Sequence, residues 1–378
     1  MKTVTLVTVV TGGDPAATEL FGFSDALVGS SWWSQLASEY GFAATSQSYH
    51  VTGPALASSP SFTQIQDYLQ QSGTSAGHPP NGQTLYVLYL PPGMQLTLGD
   101  ADGDGNDSDE NGYHDACCSG LSYPGDAFAV ASGVIQDGAL ESISSESLTQ
   151  QRTRTASHEI AEALTDPATD PETGYVISVP AGEHTWASVF ALAGGGELAD
   201  LCRIGNRVVL PGGESYLAQR IWSNTAAAAG GDPCIPASSD PYYSTSIPQA
   251  WYPAAPGATV SIPVQGWSTA PMGDWTIERN VQAYGCAGTP CAAPVDGEWS
   301  NLSLVSSLAM ESPGGVACTP AAGMRSGATA TLQVDVSATA VSGDYIVLGV
   351  LSARQFAGCD TPVTSDLYHL WPVGVYVP

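Results

Sequence analysis

The sequence predicts an α/β (α+β) domain followed by an all-β sandwich domain, and three observations lead there. Residues 1–236 alternate short apolar runs with amphipathic stretches at helical spacing. A Pro-rich passage with Pro236, Pro241, Pro248, Pro253 and Pro256 then reads as a linker over 237–258. From 259 to 378 short alternating strands recur between Gly/Pro turns. A chain of 378 residues also exceeds one ordinary small domain, which makes two the natural count.

Taken in order, the alternating Val/Thr run Thr3–Val10 reads as a first strand. A helix is expected over about 24–40, from Ser24 to Tyr40. A second is expected over about 61–71, where Phe62, Ile65, Tyr68 and Leu69 share a face. Leu85–Leu90, closed by Pro91-Pro92-Gly93, is a buried strand, and Ala127–Ala131 is another. A helix follows from Ser147 to Leu164, stopped by Thr165-Asp166-Pro167 because the residue before proline avoids the helical region. In the second domain Thr259–Val264, Asp274–Ile277, Ala330–Val336 and Asp344–Val350 read as strands of an immunoglobulin- or fibronectin-like accessory sandwich.

Charged residues are only 12% of the chain, yet the formal net charge is -27, with Lys2 the single lysine beside eight arginines. Such a surface repels nucleic acid and anionic membrane, so neither is an expected partner. No apolar run reaches the ~20 residues that span a bilayer. The apolar start lacks a convincing cleavage site and is expected to be a strand of a mature or trimmed chain. Eight cysteines without a repeated C-x2-C ladder argue for disulfides over a zinc ribbon, and hence for an extracellular or periplasmic protein. Cys202–Cys234, Cys286–Cys291 and Cys318–Cys359 are the expected pairs. Cys117 and Cys118 bond either each other or separate partners.

The chemistry concentrates in Ser157-His158-Glu159-Ile160-Ala161-Glu162. His158 and Glu162, four apart, share one helix face, the geometry of the HExxH zinc motif with Glu162 in place of the second histidine. Glu159 stands where such motifs keep the general base that activates metal-bound water. An acidic solvated face is the bland alternative. Ile160, Ala161, Ala163 and Leu164 argue against it, because they imply a partly buried helix and buried charge needs a partner. Asp166 is either a further ligand or a cap. Downstream, Glu197 is the expected further ligand and Asp200 the group that orients a histidine, the exchanged assignment being the alternative. His114 is the remaining histidine with a suitable context, as a ligand or as a donor to a substrate carbonyl; His184 is weaker. Carboxylate ligands widen the metal choice from zinc toward calcium or manganese. Separately, Asp100, Asp102, Asp104, Asn106, Asp109 and Glu110 follow the D-x-D-x-D-G opening of a calcium loop, with Asn111 where a bidentate glutamate belongs.

In order along the chain, Thr84–Gly93, Gly112-Tyr113-His114, Ser157–Pro167, Glu197–Cys202, Gln219–Asn224 and Cys234 resemble secreted bacterial proteins with an SHExxEAxTDP…ExxDLC…QxxWSN…C pattern. Plant phosphate-induced (exordium-like) secreted proteins are similar. The resemblance covers about Gln64 to Cys234, and Ala199 departs from the group's usual glycine. It implies an extracellular protein, a zincin-like α/β domain and a Cys202–Cys234 bridge, but no substrate. The expected function is a secreted zinc-dependent hydrolase, a metallopeptidase on protein or peptide substrates with Glu159 as base. A non-catalytic, metal-stabilised binding or signalling protein is the alternative. A glycan-active enzyme, with Trp251, Trp267 or Trp275 binding sugar, is the third.

Overall fold

The computed structural model describes residues 3–43, 46–58, 60–94, 96–98, 108–110, 112–117, 126–133, 146–165, 184–193, 197–202, 207–213, 216–238, 240–286, 302–306, 321–354, 356–358, 361–362 and 368–378. They form two compact units. The first takes the chain up to Val176 together with Glu197–Ala229 and Pro233–Ala237.

Its centre is a mixed sheet. Strands β1 (Thr5–Thr11), β2 (Gln47–Gly53), β3 (Thr84–Tyr89) and β7 (Ala127–Ala131) run parallel, and β6 (Gly112–Ala116) closes one edge antiparallel, in the order β2-β1-β3-β7-β6. The period-two pleat sorts side chains to the two faces. Leu6, Val10, Leu85, Val87, Tyr89, Ala127, Ala129 and Ala131 pack on α1 (Ala17–Val28), α2 (Ser31–Tyr40) and α4 (Leu148–Thr165). Val7, Val9, Tyr86, Leu88, Phe128 and Val130 pack on α3 (Phe62–Ser75). Helices on both faces explain why these strands read as continuous apolar runs.

The single helix expected over 24–40 is two. Gly29 caps the end of α1, and the Ser30 side chain accepts from Trp33 N, starting a new helix axis. The chain thereby turns while burying both Trp32 and Trp33. Helix α3 opens on a reciprocal capping box between Ser61 and Gln64.

Helix α4 is buried along most of its length, Arg152–Ser157 and Glu159–Thr165. Its Arg152 donates to Asp14 Oδ2 and to the Leu90 carbonyl, both at 2.7 Å, and lies over the Tyr89 ring. That pair ties the helix to the ends of β1 and β3. A small hairpin, β4 (Leu96–Leu98) with β5 (Ser108–Glu110), precedes β6. The expected calcium-loop residues Asp100, Asp102, Asp104 and Asn106 lie outside the described residues, as do the side chains of Asp109 and Glu110 on β5. Two ribbons complete the unit. They are β8 (Arg207–Val209) with β9 (Leu217–Gln219), and β10 (Ile221–Trp222) with β11 (Cys234–Ile235), helix α6 (Asn224–Ala228) falling between the latter two. The expected Cys202–Cys234 disulfide is present. Cys117 and Cys286 are also disulfide-bonded, while Cys118, Cys291, Cys318 and Cys359 are outside the described residues.

The second unit contains helix α5 (Trp186–Leu192) and two sheets. Strands β12 (Tyr243–Ser246), β14 (Thr259–Ser268), β18 (Thr329–Val336) and β16 (Leu302–Ser306) make one. Strands β13 (Trp251–Pro253), β22 (Tyr368–Tyr376), β19 (Tyr345–Ala353), β15 (Trp275–Gly285) and β17 (Ala321–Met324) make the other, and β20 (Phe356–Gly358) pairs with β21 (Thr361–Pro362). Ile262, Val264, Leu332 and Val334 of the first sheet share one core with Trp275, Ile277, Leu348 and Val373 of the second. The stretch 237–258, expected as a linker, carries β12 and β13 instead. Of its prolines only Pro253 lies in a strand, at the end of β13, which stands at the edge of its sheet, where a missing N–H is tolerated.

Candidate metal centre

Three segments of the first unit converge. The first is α4, which carries His158, Glu159 and Glu162. The second is β6, where His114 is paired with Ala129 of β7 and therefore shares its face of the sheet, the face covered by α4. The alanines of β7 leave room for the helix to approach, and Gly112 completes that approach. A Cβ at Gly112 would overlap Glu159 Oε1 and Thr155. The third segment is the one-turn 3₁₀ helix Ala199–Cys202 with Glu197 just before it. Leu198 and Ala199 are buried, Cys202 is bridged to Cys234, and Asp200 Oδ2 accepts from Glu197 N at 3.2 Å.

The side chains form one cluster. His114 Nδ1 is 3.2 Å from Glu159 Oε2 and 3.5 Å from Glu162 Oε2, and its Nε2 is 3.6 Å from Glu197 Oε1. His158 Nε2 is 3.1 Å from Glu162 Oε2 and 3.8 Å from Asp200 Oδ1. On its other side, His158 Nδ1 is 3.1 Å from Gln219 Oε1. The Gln219 amide nitrogen donates to the Ala199 carbonyl at 2.6 Å, which fixes the amide's orientation. Nδ1 of neutral His158 therefore carries the proton, and Nε2 presents its lone pair to the carboxylates. Within this cluster, among the described residues, His114 Nε2 and Glu162 Oε1 are buried without a hydrogen-bond partner, on side chains that are nearly inaccessible.

The electrostatics call for positive charge. Burial alone lowers the pKa of His114, but the Glu159 hydrogen bond and the Glu159, Glu162 and Glu197 charges outweigh it and raise it to about 9. His158 follows the same balance: burial lowers its pKa, and Glu162, Glu159 and Asp200 hold it well above the usual imidazole range. Burial pushes Glu162 up to about 8 despite the neighbouring His158, and burial likewise raises Glu197. In the cation-free chain protons supply the missing charge. A metal ion could supply it without them.

Among the described residues, two sets of donor atoms lie close enough for one ion each, His114/Glu162/Glu197 and His158/Glu159/Glu162. The structure thus brings together His114, His158, Glu159, Glu162, Glu197 and Asp200, six residues singled out in the sequence. Asp166 is outside the described residues. His184 stacks on Tyr376 in the second unit, at 3.5 Å between ring centroids. Trp251 and Trp275 are buried, and Trp267 stands edge-on to Tyr242. The residue that sequence reasoning left without a role is Gln219. It is 61 positions from His158, and only its place in the QxxWSN pattern marked it.

No protein-family description matches the chain, and comparison with curated proteins finds no match either.

Proposed function

We propose that the chain is a metal-dependent hydrolase, exported from the cell, that cleaves amide bonds in peptides. The observation that carries this is the pair of orphaned buried atoms, His114 Nε2 and Glu162 Oε1, inside a cluster built on a helical H-E-x-x-E. Orphaned buried polar atoms are costly, and here both are metal-ligand types among carboxylates. His158 Nε2, Glu162 and the Glu197/Asp200 pair would hold zinc, with Gln219 fixing the tautomer of His158. A bound ion would supply Lewis acidity toward a water and a carbonyl. Glu159, held by His114 Nδ1, is placed to accept a proton from an attacking water and to hand it to the leaving amine. A sheet edge supports the peptide assignment: among the described residues no strand pairs with the outer side of β6, and an extended substrate can add there through backbone hydrogen bonds. The resemblance to secreted bacterial and exordium-like proteins, the acidic surface and the disulfides support export. The antiparallel edge strand beside the motif helix supports a zincin-like reading of the first unit.

One observation favours a second reading, a metal site that only stabilises a binding protein: Glu159 is itself 7% exposed, which restricts access to a substrate. Cleavage of unfolded protein by wild type and Glu159→Gln, with metal content measured on both, separates the two. The hydrolase predicts equal metal and a loss of about 10²–10⁴-fold in the variant, the usual worth of a general base. Metal retained with no cleavage by wild type establishes the stabilising role instead.

A further inference from the structure

The cluster offers more carboxylate than one ion can use. Glu159, Glu162, Glu197 and Asp200 bring four negative charges to two histidines, and among the described residues the ion-pair partners of Glu159, Glu162 and Glu197 are those histidines. A single divalent cation balances two of the four charges; a pair balances all of them. Buried charge left unbalanced is expensive, so the count matters.

The donor atoms divide the same way. The two sets, His114/Glu162/Glu197 and His158/Glu159/Glu162, each contain one histidine and share Glu162. Glu159 Oε2 is engaged by His114 Nδ1, and Asp200 Oδ1, 3.8 Å from His158 Nε2, can take its place in the second. Glu162 Oε2 faces His158 Nε2 at 3.1 Å, while Oε1 has no partner, and the carboxylate is almost wholly buried. On the other side the unpartnered His114 Nε2 is directed toward Glu197 Oε1 at 3.6 Å. Both histidines have Nδ1 engaged, His114 by Glu159 and His158 by Gln219, so both are set to ligate through Nε2. Glu162 Oε2 is also 3.5 Å from His114 Nδ1. A carboxylate shared by both sets, with its second oxygen unpartnered, can bridge ions about 3.5–4 Å apart.

Resting on the reading of this cluster as a metal centre, we propose that it holds two divalent cations, one among His114, Glu197 and Glu162 and the other among His158, Asp200 and Glu162, with Glu162 bridging. Imidazole and carboxylate in this ratio suit zinc and manganese. Glu159 stays beside the pair as the base.

The test uses the full chain, stripped with chelator and reloaded with manganese. The expected result is two manganese ions per chain by elemental analysis and a spin-coupled electron paramagnetic resonance signal. Glu197→Gln, at a side chain that is 33% exposed and thus easily accommodated, should reduce this to one ion with an isolated six-line spectrum. Circular dichroism checks that the variant is folded. One ion in wild type overturns the pair and leaves the metal centre standing. Two uncoupled ions overturn it as well, since the second then lies elsewhere, for instance among the acidic residues 100–111. No ion at all removes both this inference and the hydrolase reading.

Discussion

Replacing Gln219 by leucine isolates the cost of orienting His158. The glutamine is 1% exposed and its side chain makes two hydrogen bonds, from His158 Nδ1 at 3.1 Å and to the Ala199 carbonyl at 2.6 Å. Its backbone N–H, which donates to Ser157 Oγ at 2.8 Å, survives the change. Leucine fills a similar volume, so no large cavity forms, but two groups lose their partners. Each orphaned group costs about 1–3 kcal/mol, for a sum of about 2–6. His158 keeps 21% of its side-chain surface and recovers part of its share from water, which brings the expected loss to about 2–4 kcal/mol. Loss of a group orienting a metal-bound histidine should separately weaken metal affinity by about 10–100-fold. Thermal unfolding of the chelated protein reads the first quantity, and calorimetric titration with zinc reads the second. Gln219→Glu, which keeps the acceptor toward His158 but turns an oxygen on the Ala199 carbonyl, should lose stability while retaining more affinity than the leucine variant. Zinc affinity unchanged within twofold in Gln219→Leu would show that His158 needs no such orientation.

Three further outcomes follow from the same geometry. Asp14→Ala leaves the buried Arg152 guanidinium without its carboxylate and should cost about 3–5 kcal/mol in denaturant unfolding; a loss below about 1 would mean that water reaches Arg152. Opening Cys202–Cys234, which spans 32 residues, should lower stability by about 3–4 kcal/mol through the entropy of the unfolded chain, measured by unfolding with and without reductant. For pH, the folded-state value of His114, about 9, lies above its ordinary 6.5. Its stabilising contribution is therefore complete below about pH 6.5 and lost as pH rises to about 9. Glu162, raised from 4.5 to about 8, acts in the same sense over that lower window. The melting temperature of chelated protein should fall from pH 5 to 9, and a flat profile contradicts the ionic account.

Much of this was legible locally. The continuous apolar run Leu85–Leu90, the alanine-rich Ala127–Ala131 and the His158/Glu162 spacing each encode a neighbour within a strand or a turn of helix, and these elements stand where the pattern put them. Long-range pairing was less legible. His114 meets Glu159 across 45 positions because β6 turns back antiparallel beside β7, a register that no local pattern encodes. Gln219 reaches His158 because β9 lies against α4. The break at Gly29-Ser30 was hidden because the apolar spacing continues through it, and the prolines of 237–258 masked strands that need only one paired side.

The burial of α4 has a consequence of its own. The helix that carries His158, Glu159 and Glu162 is also the element around which the first unit closes, so ion binding and folding draw on the same contacts. An ion bound only by the folded chain adds RT ln(1 + [L]/Kd), about 2.7 kcal/mol at a hundredfold excess over Kd. If the chain is exported and holds a cation as proposed, the concentration of that cation around it would set how long the protein survives proteolysis. Scarcity of the ion would be felt first as a shorter lifetime, with the chain itself acting as the gauge.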